Sequence, residues 1–209
     1  MSSAFAFAQN EGEPEDDLAS RWLDTYLDLE RSASLIRCYA PGMIPGLLQT
    51  AEYTEEFLAM ADPDHSGGPH PRLAELEQRK QILARPNPPR LWMVLEQAAL
   101  RRQLGSHQAW REQLDHLARV AARPGFSVQI MPDHAAGPII STIPFTVFRF
   151  AATHRGDIVH VPHATGAAFL EGRRDIDAYH EIWNRLCINA LGPERTSDIV
   201  AAAAAGATL

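Results

Sequence analysis

Apolar positions recur with helical spacing from Leu18 onward. Leu18, Trp22 and Leu29, flanked by Leu23 and Tyr26, fall on one stripe and predict a helix ending near Ser34. The pattern then tightens to "LIRCY" (35–39), a short strand, before Pro41, Pro45 and Gly46 enforce an irregular loop. Thr50 is placed to cap a helix running to about Met60, with Tyr53 and Phe57 four apart. After the loop "ADPDHSGGPHP" (61–71), Leu73, Leu76 and Leu83 predict a helix over 72–85, stopped by "RPNPP".

"RLWMVLEQ" (90–97) reads as a buried strand. Ser106 caps a helix with Trp110, Leu114, Leu117 and Ala121 on one face, and "RPG" (123–125) breaks it. "FSVQIMP" (126–132) alternates as a half-buried strand, and a Gly/Pro-rich loop covers 133–143. "PFTVFRF" (144–150) is a strand with apolar residues on both faces, and a fifth strand is expected at 157–161. A long helix is expected over 166–190, with Ile176, Tyr179, Trp183 and Leu186 as its core stripe, and a short one over 194–204. The pattern predicts an α+β fold: a mixed, largely antiparallel sheet of about five strands with helices packed on one face. A single domain spans 18–195, between a disordered acidic tail (1–17) and a short helix with a frayed end (196–209).

Composition narrows the function classes. Of the net charge of −7, five acids fall in the first 17 residues with no Lys or Arg among them, so the body is nearly neutral. A nucleic-acid binder shows a basic face. Here no Lys/Arg cluster is large enough, and the pairs Arg101-Arg102 and Arg173-Arg174 read as solvated surface. No apolar run approaches the roughly 20 residues that span a bilayer, and residues 1–17 do not form a secretory signal. Cys38 and Cys187 lie in apolar segments without metal-type spacing, as in a reduced cytoplasmic protein.

No phosphate-binding glycine loop, GxGxxG, GxSxG, HExxH or CxxC is present, and nothing calls for a cofactor or a metal. The remaining chemistry lies in dispersed side chains. His160 and His163 bracket the end of the fifth strand, where alternation points them to opposite faces unless Pro162 bends the chain. If the 133–143 loop folds back over the sheet edge, His134 gathers with them, and imidazoles suit proton transfer. Glu96 ends the second strand and needs a partner if buried, for which Arg37 is the natural choice. Tyr39, Trp92, Phe145 and Arg149 are candidates to line a pocket, although core packing explains the aromatics and an exposed guanidinium explains Arg149.

"IRCYAPGMIPGLLQTAEY" (36–53) carries a resemblance. Arg37, Tyr39, Pro41, the block Pro45–Thr50, Tyr53, Arg79, Gln81, "PPRLWMVLEQAALRR", "RPGFSVQIMP", "PFTVFRF" and "TGAAFLE" together resemble a known family. That family is the large C-terminal domain behind an Xre-type helix-turn-helix in many actinobacterial regulators. The resemblance runs from about residue 20 to 200. It implies a regulator-like, antitoxin-like domain that works with a small effector or a small partner protein. The family's helix-turn-helix is expected to be missing here. Gln97 stands where the family usually has an acid, Pro162-His163 where it has a "VE-Gly", and an arginine common near Leu76 is gone. An apolar frame retained while polar positions change is what a re-cut site would show.

The sequence therefore favours a ligand- or partner-binding module without its own DNA or membrane contact. The alternative is a cofactor-free cyclase or isomerase of secondary metabolism, with His163 or His160 moving protons and Glu96 orienting them. A third reading, a direct DNA-binding regulator, is disfavoured by charge.

Overall fold

The computed structural model describes residues 15–65, 68, 70–135, 143–151, 155–163 and 165–206. Most of the acidic tail, much of the 133–143 loop, His154 and the last three residues lie outside them.

The elements follow in the order α1 (Glu15–Ser32), β1 (Leu35–Ala40), α2 (Ala51–Ala61), α3 (Pro71–Lys80), β2 (Arg90–Glu96), α4 (Gln97–Arg101), α5 (His107–Ala121) and β3 (Phe126–Met131). They continue as β4 (Phe145–Arg149), β5 (Ile158–His163), β6 (Gly166–Leu170), α6 (Arg173–Asn189) and α7 (Thr196–Ala204). The expected caps form: the Thr50 hydroxyl accepts from the Tyr53 amide and the Ser106 hydroxyl from the Ala109 amide. At "RPG" the chain turns on Gly125, whose φ of 85° suits glycine.

The six strands form one mixed sheet in the order β3-β2-β1-β4-β5-β6. β1, β2 and β3 are parallel, so helices must carry the chain back between them. β4 pairs antiparallel with β1, and β5 and β6 follow antiparallel. The α+β architecture matches the expectation, with a sixth strand added.

That strand corrects one element. Residues 166–170 are not the start of the last helix. They form β6, paired with β5 from Val159↔Leu170 to His163↔Gly166, and α6 begins only after Gly172. Local helix propensity in "GAAFL" gives way to an open strand edge that has backbone groups to satisfy.

The helices also occupy both faces of the sheet rather than one. On the first face, Ile36, Leu91, Met93, Leu95, Val128, Ile130, Phe148 and Ile158 pack with Leu29 of α1, Tyr53 of α2, Leu114 and Leu117 of α5 and Val200 of α7. The buried Val200 makes the final helix part of this core rather than an appendage. On the second face, Tyr39, Val94, Met131, Phe145, Val147 and Val159 lie beneath Trp183 and Leu186 of α6. Central strands apolar on both sides require a cover on both sides. The double-sided pattern of residues 144–150 already carried that information.

Candidate functional site

A cavity of about 820 Å³ opens on the first face, where the C-terminal end of β1 meets the start of β4 and the end of β5. Helix α1 forms one wall through Trp22, Leu23 and Tyr26. The loop 41–46 forms another, and Phe57, Arg79 and Arg102 approach from α2, α3 and the end of α4. Tyr39, Phe145, Thr146, His160 and Pro162 supply the sheet side.

The loop is rigid for a readable reason. The buried Gln49 amide donates to the Ile44 carbonyl at 2.7 Å, and the Thr54 hydroxyl donates back to Gln49 at 3.0 Å. The fully buried Gln113 of α5 accepts from the Thr50 amide and donates to the Leu48 carbonyl, both at 2.7 Å. A Cβ at Gly46 would lie 2.9 Å from Leu76 Cδ1, so the buried Leu76 would have to shift. The "PGLLQT" block thus acts as a frame that holds the cavity's rim, and its polar residues satisfy backbone groups.

His160 is the notable side chain in this wall. It is 7% exposed, and neither ring nitrogen has a hydrogen-bond partner. The Tyr26 ring lies edge-on at 4.7 Å and the Phe169 ring at 5.3 Å. Burial, aided by the nearby positive charge of Arg79, pushes its pKa down from 6.5 to about 4, so the imidazole is neutral near pH 7. Below it, Arg79 makes a bidentate ion pair with the buried Glu30, both contacts 2.9 Å, and its guanidinium lies 5.0 Å from the Tyr26 ring centre. This pair links α3 to α1 across the base of the site.

Of the residues expected to form a site, His160 presents its ring to this cavity, whereas Tyr39 and Phe145 border it only along their strands, their rings packing on the opposite face beneath α6. On that same α6 face Glu96 accepts a hydrogen bond from the Tyr39 hydroxyl. Burial and that carboxylate raise the Tyr39 pKa well above its ordinary value. Arg37 is not the partner of Glu96. The register sets Arg37 beside Trp92 and Tyr39 beside Val94, so Glu96 lies four residues further along β2 than the neighbour of Arg37.

Arg37, Trp92 and Arg149 lie on the α6 face as well. The Arg37 guanidinium lies 6.0 Å from the Trp92 ring centre, and the Trp92 indole donates to Gln129 at 2.8 Å and packs edge-on against Trp183. Arg149 forks onto Asp157, which His180 also contacts at 2.9 Å.

The three histidines do not gather. β5 stays paired through Pro162, so His163 keeps its alternation, is exposed and sits 3.4 Å from the Thr165 hydroxyl. His134 lines a separate cavity of about 340 Å³ with Gln97, Arg195 and Asp198.

Asp62, His65 and His70 could each offer a ligand atom to a metal, the atoms lying within 4.8 Å of one another. However, His70 Nδ1 accepts from the Arg72 amide as a helix cap. Its proton therefore sits on Nε2, which faces Asp62 at 3.6 Å, and the group reads as a loop tether. Burial pushes both cysteine thiols up to about 11, so neither is a ready nucleophile.

A family model described as a domain of unknown function (DUF5753) matches residues 23–202, which take in every strand and nearly all the cavity wall. The chain belongs to this family. No curated protein matches it. Within the DUF5753 domain, sequence reasoning missed the Glu30–Arg79 pair and Arg102 as parts of the site. Arg79 was visible only as one of the positions carrying the resemblance, and its partner lies 49 residues away with no local signal.

Proposed function

We propose that this DUF5753 domain is a cytoplasmic binding module that takes a small, mainly apolar molecule into the cavity beside His160. The resemblance to the C-terminal domains of actinobacterial Xre-type regulators supports an effector-binding role, and a small partner protein would then read the loaded state at the apolar rim. The observation that carries the proposal is the pairing of an 820 Å³ apolar hollow with a buried imidazole lacking any partner. Protein interiors leave few such voids, and an unpaired buried polar group costs about 1–3 kcal/mol, so a ligand that fills the space offsets both.

The proposal includes no nucleic-acid or membrane contact. Arg101 engages Asp133 and Arg173 engages Asp177, as solvated surface does. Among the described residues no helix is long and apolar enough to cross a membrane.

The geometry gives the cyclase or isomerase alternative less support. His160 has no carboxylate to orient it, and a base with a pKa near 4 is weak. His163 does not line the cavity, and Glu96 is engaged by Tyr39.

Thermal melting against a panel of apolar acids, alcohols and esters tests the reading. A saturating ligand should raise the melting temperature by about 5 °C. The Leu23→Trp variant, which fills the hollow, should fold normally and lose the effect. A panel that moves neither protein would refute the proposal.

A further inference from the structure

The charges around the cavity say which chemistry its ligand carries, given the binding reading above. Among the described residues no Asp or Glu side chain lines the hollow, and only two guanidiniums do, those of Arg79 and Arg102. Arg79 is half-buried and neutralised by the bidentate contact with the buried Glu30. Arg102 differs on each count. It is exposed, and among the described residues its side chain has no hydrogen-bond or ion-pair partner. It reaches over the loop, where a Cβ on Gly42 would lie 3.7 Å from its Nη1. The mouth therefore carries one free positive charge, beside the partly exposed Met43.

The inner wall is uncharged. Tyr26, Cys38 and Thr146 are neutral there, and so is His160 near pH 7. A charged group pushed inward would lose hydration without a counter-charge, because Arg79 is already taken. A guanidinium fork fits the two oxygens of a carboxylate, and a single fork does not balance a dianionic phosphate.

We infer that the cavity binds an amphipathic monocarboxylate, its carboxylate on Arg102 at the mouth and its apolar body directed inward toward His160. The protein thus reads the free acid and discriminates against the ester or alcohol of the same body.

The test uses the full chain with three probes: dodecanoate, methyl dodecanoate and dodecan-1-ol. Titration calorimetry and quenching of Trp22, which lines the cavity, report binding. Dodecanoate should bind about tenfold more tightly than either neutral probe, and more weakly as salt rises. Arg102→Gln should weaken dodecanoate about tenfold more than it weakens the neutral probes, removing that preference, and Arg102→Lys should restore part of it. Leu23→Trp should abolish binding of all three.

Equal affinity for acid and ester, or an equal loss for both in Arg102→Gln, overturns the carboxylate assignment and leaves the cavity reading standing. Dodecanoate binding that survives in Leu23→Trp overturns it as well, because the acid then sits elsewhere. If no probe binds while the wider panel yields a ligand, the inference falls alone. If the panel is also silent, both fall.

Discussion

The two faces of the sheet use the same strands and reach opposite results. Beneath α6 the space is filled by aromatic rings: Phe145 meets Tyr179 at 5.0 Å and Trp183 at 6.3 Å, and Trp183 meets Trp92 at 5.8 Å. On the other face, α1 stands off from the ends of β4 and β5 and leaves the cavity. The difference follows from what spans each gap. Helix α6 runs for 17 residues and lays indole and phenol rings onto the strands. At the cavity, a short, hydrogen-bonded loop forms one wall, and the described side chains line the space without filling it. The α6 face is filled by rings, while the first face is packed over β2 and β3 and leaves this space where β1 and β5 end and β4 starts.

The largest expected effect comes from opening the filled face. Trp183→Ala should lower unfolding stability by about 3–5 kcal/mol in a urea melt, because the surrounding rings cannot collapse into the space. A loss under 1 kcal/mol would show that the two faces are alike.

The second effect is acid sensitivity of the hollow face. The His160 pKa lies near 4 when folded and about 6.5 when unfolded, burial being the main cause and Arg79 the next. Above pH 6.5 the ring is neutral in both states and contributes no pH dependence. Between 6.5 and 4 the unfolded chain takes up a proton that the folded one refuses, so stability falls as pH falls, by about 3 kcal/mol in all. His160→Leu should flatten this part of the profile, measured as the difference between variant and parent melts from pH 7.5 to 4. Parallel profiles would place the imidazole in a more polar setting.

The smallest effect is the sharpest contrast. Phe57→Ala trims a residue that already faces empty space, so the loss should be about 1 kcal/mol or less, against the larger value for Trp183→Ala. Equal losses would mean that the cavity is closed in solution.

The sequence was most legible where periodicity and burial agree. "LIRCY", "RLWMVLE" and "FSVQIM" became β1, β2 and β3 almost residue for residue, and the Thr50 and Ser106 caps formed as expected. Residues 166–170 misled because Ala, Phe and Leu suit either structure, and only the pairing with β5 decides. The site was legible in part. Arg37 was the partner expected for Glu96, but the parallel register, a non-local fact, gave Glu96 to Tyr39. His160 was identified and its environment was not, since Tyr26 and Arg79 reach it from helices far away in sequence.

β1 sits at the seam between the parallel and antiparallel halves of the sheet, and this placement has a consequence for synthesis. On one side it joins β2, but on the other it waits for β4, and the hydroxyl of Ser34 just before β1 donates to the carbonyl of Arg149, 115 positions away. As the nascent chain leaves the ribosome, that edge of β1 has no neighbour until the second half emerges. In that interval it is a sticky ribbon, and slowed translation or a truncated message would favour clumping over maturation.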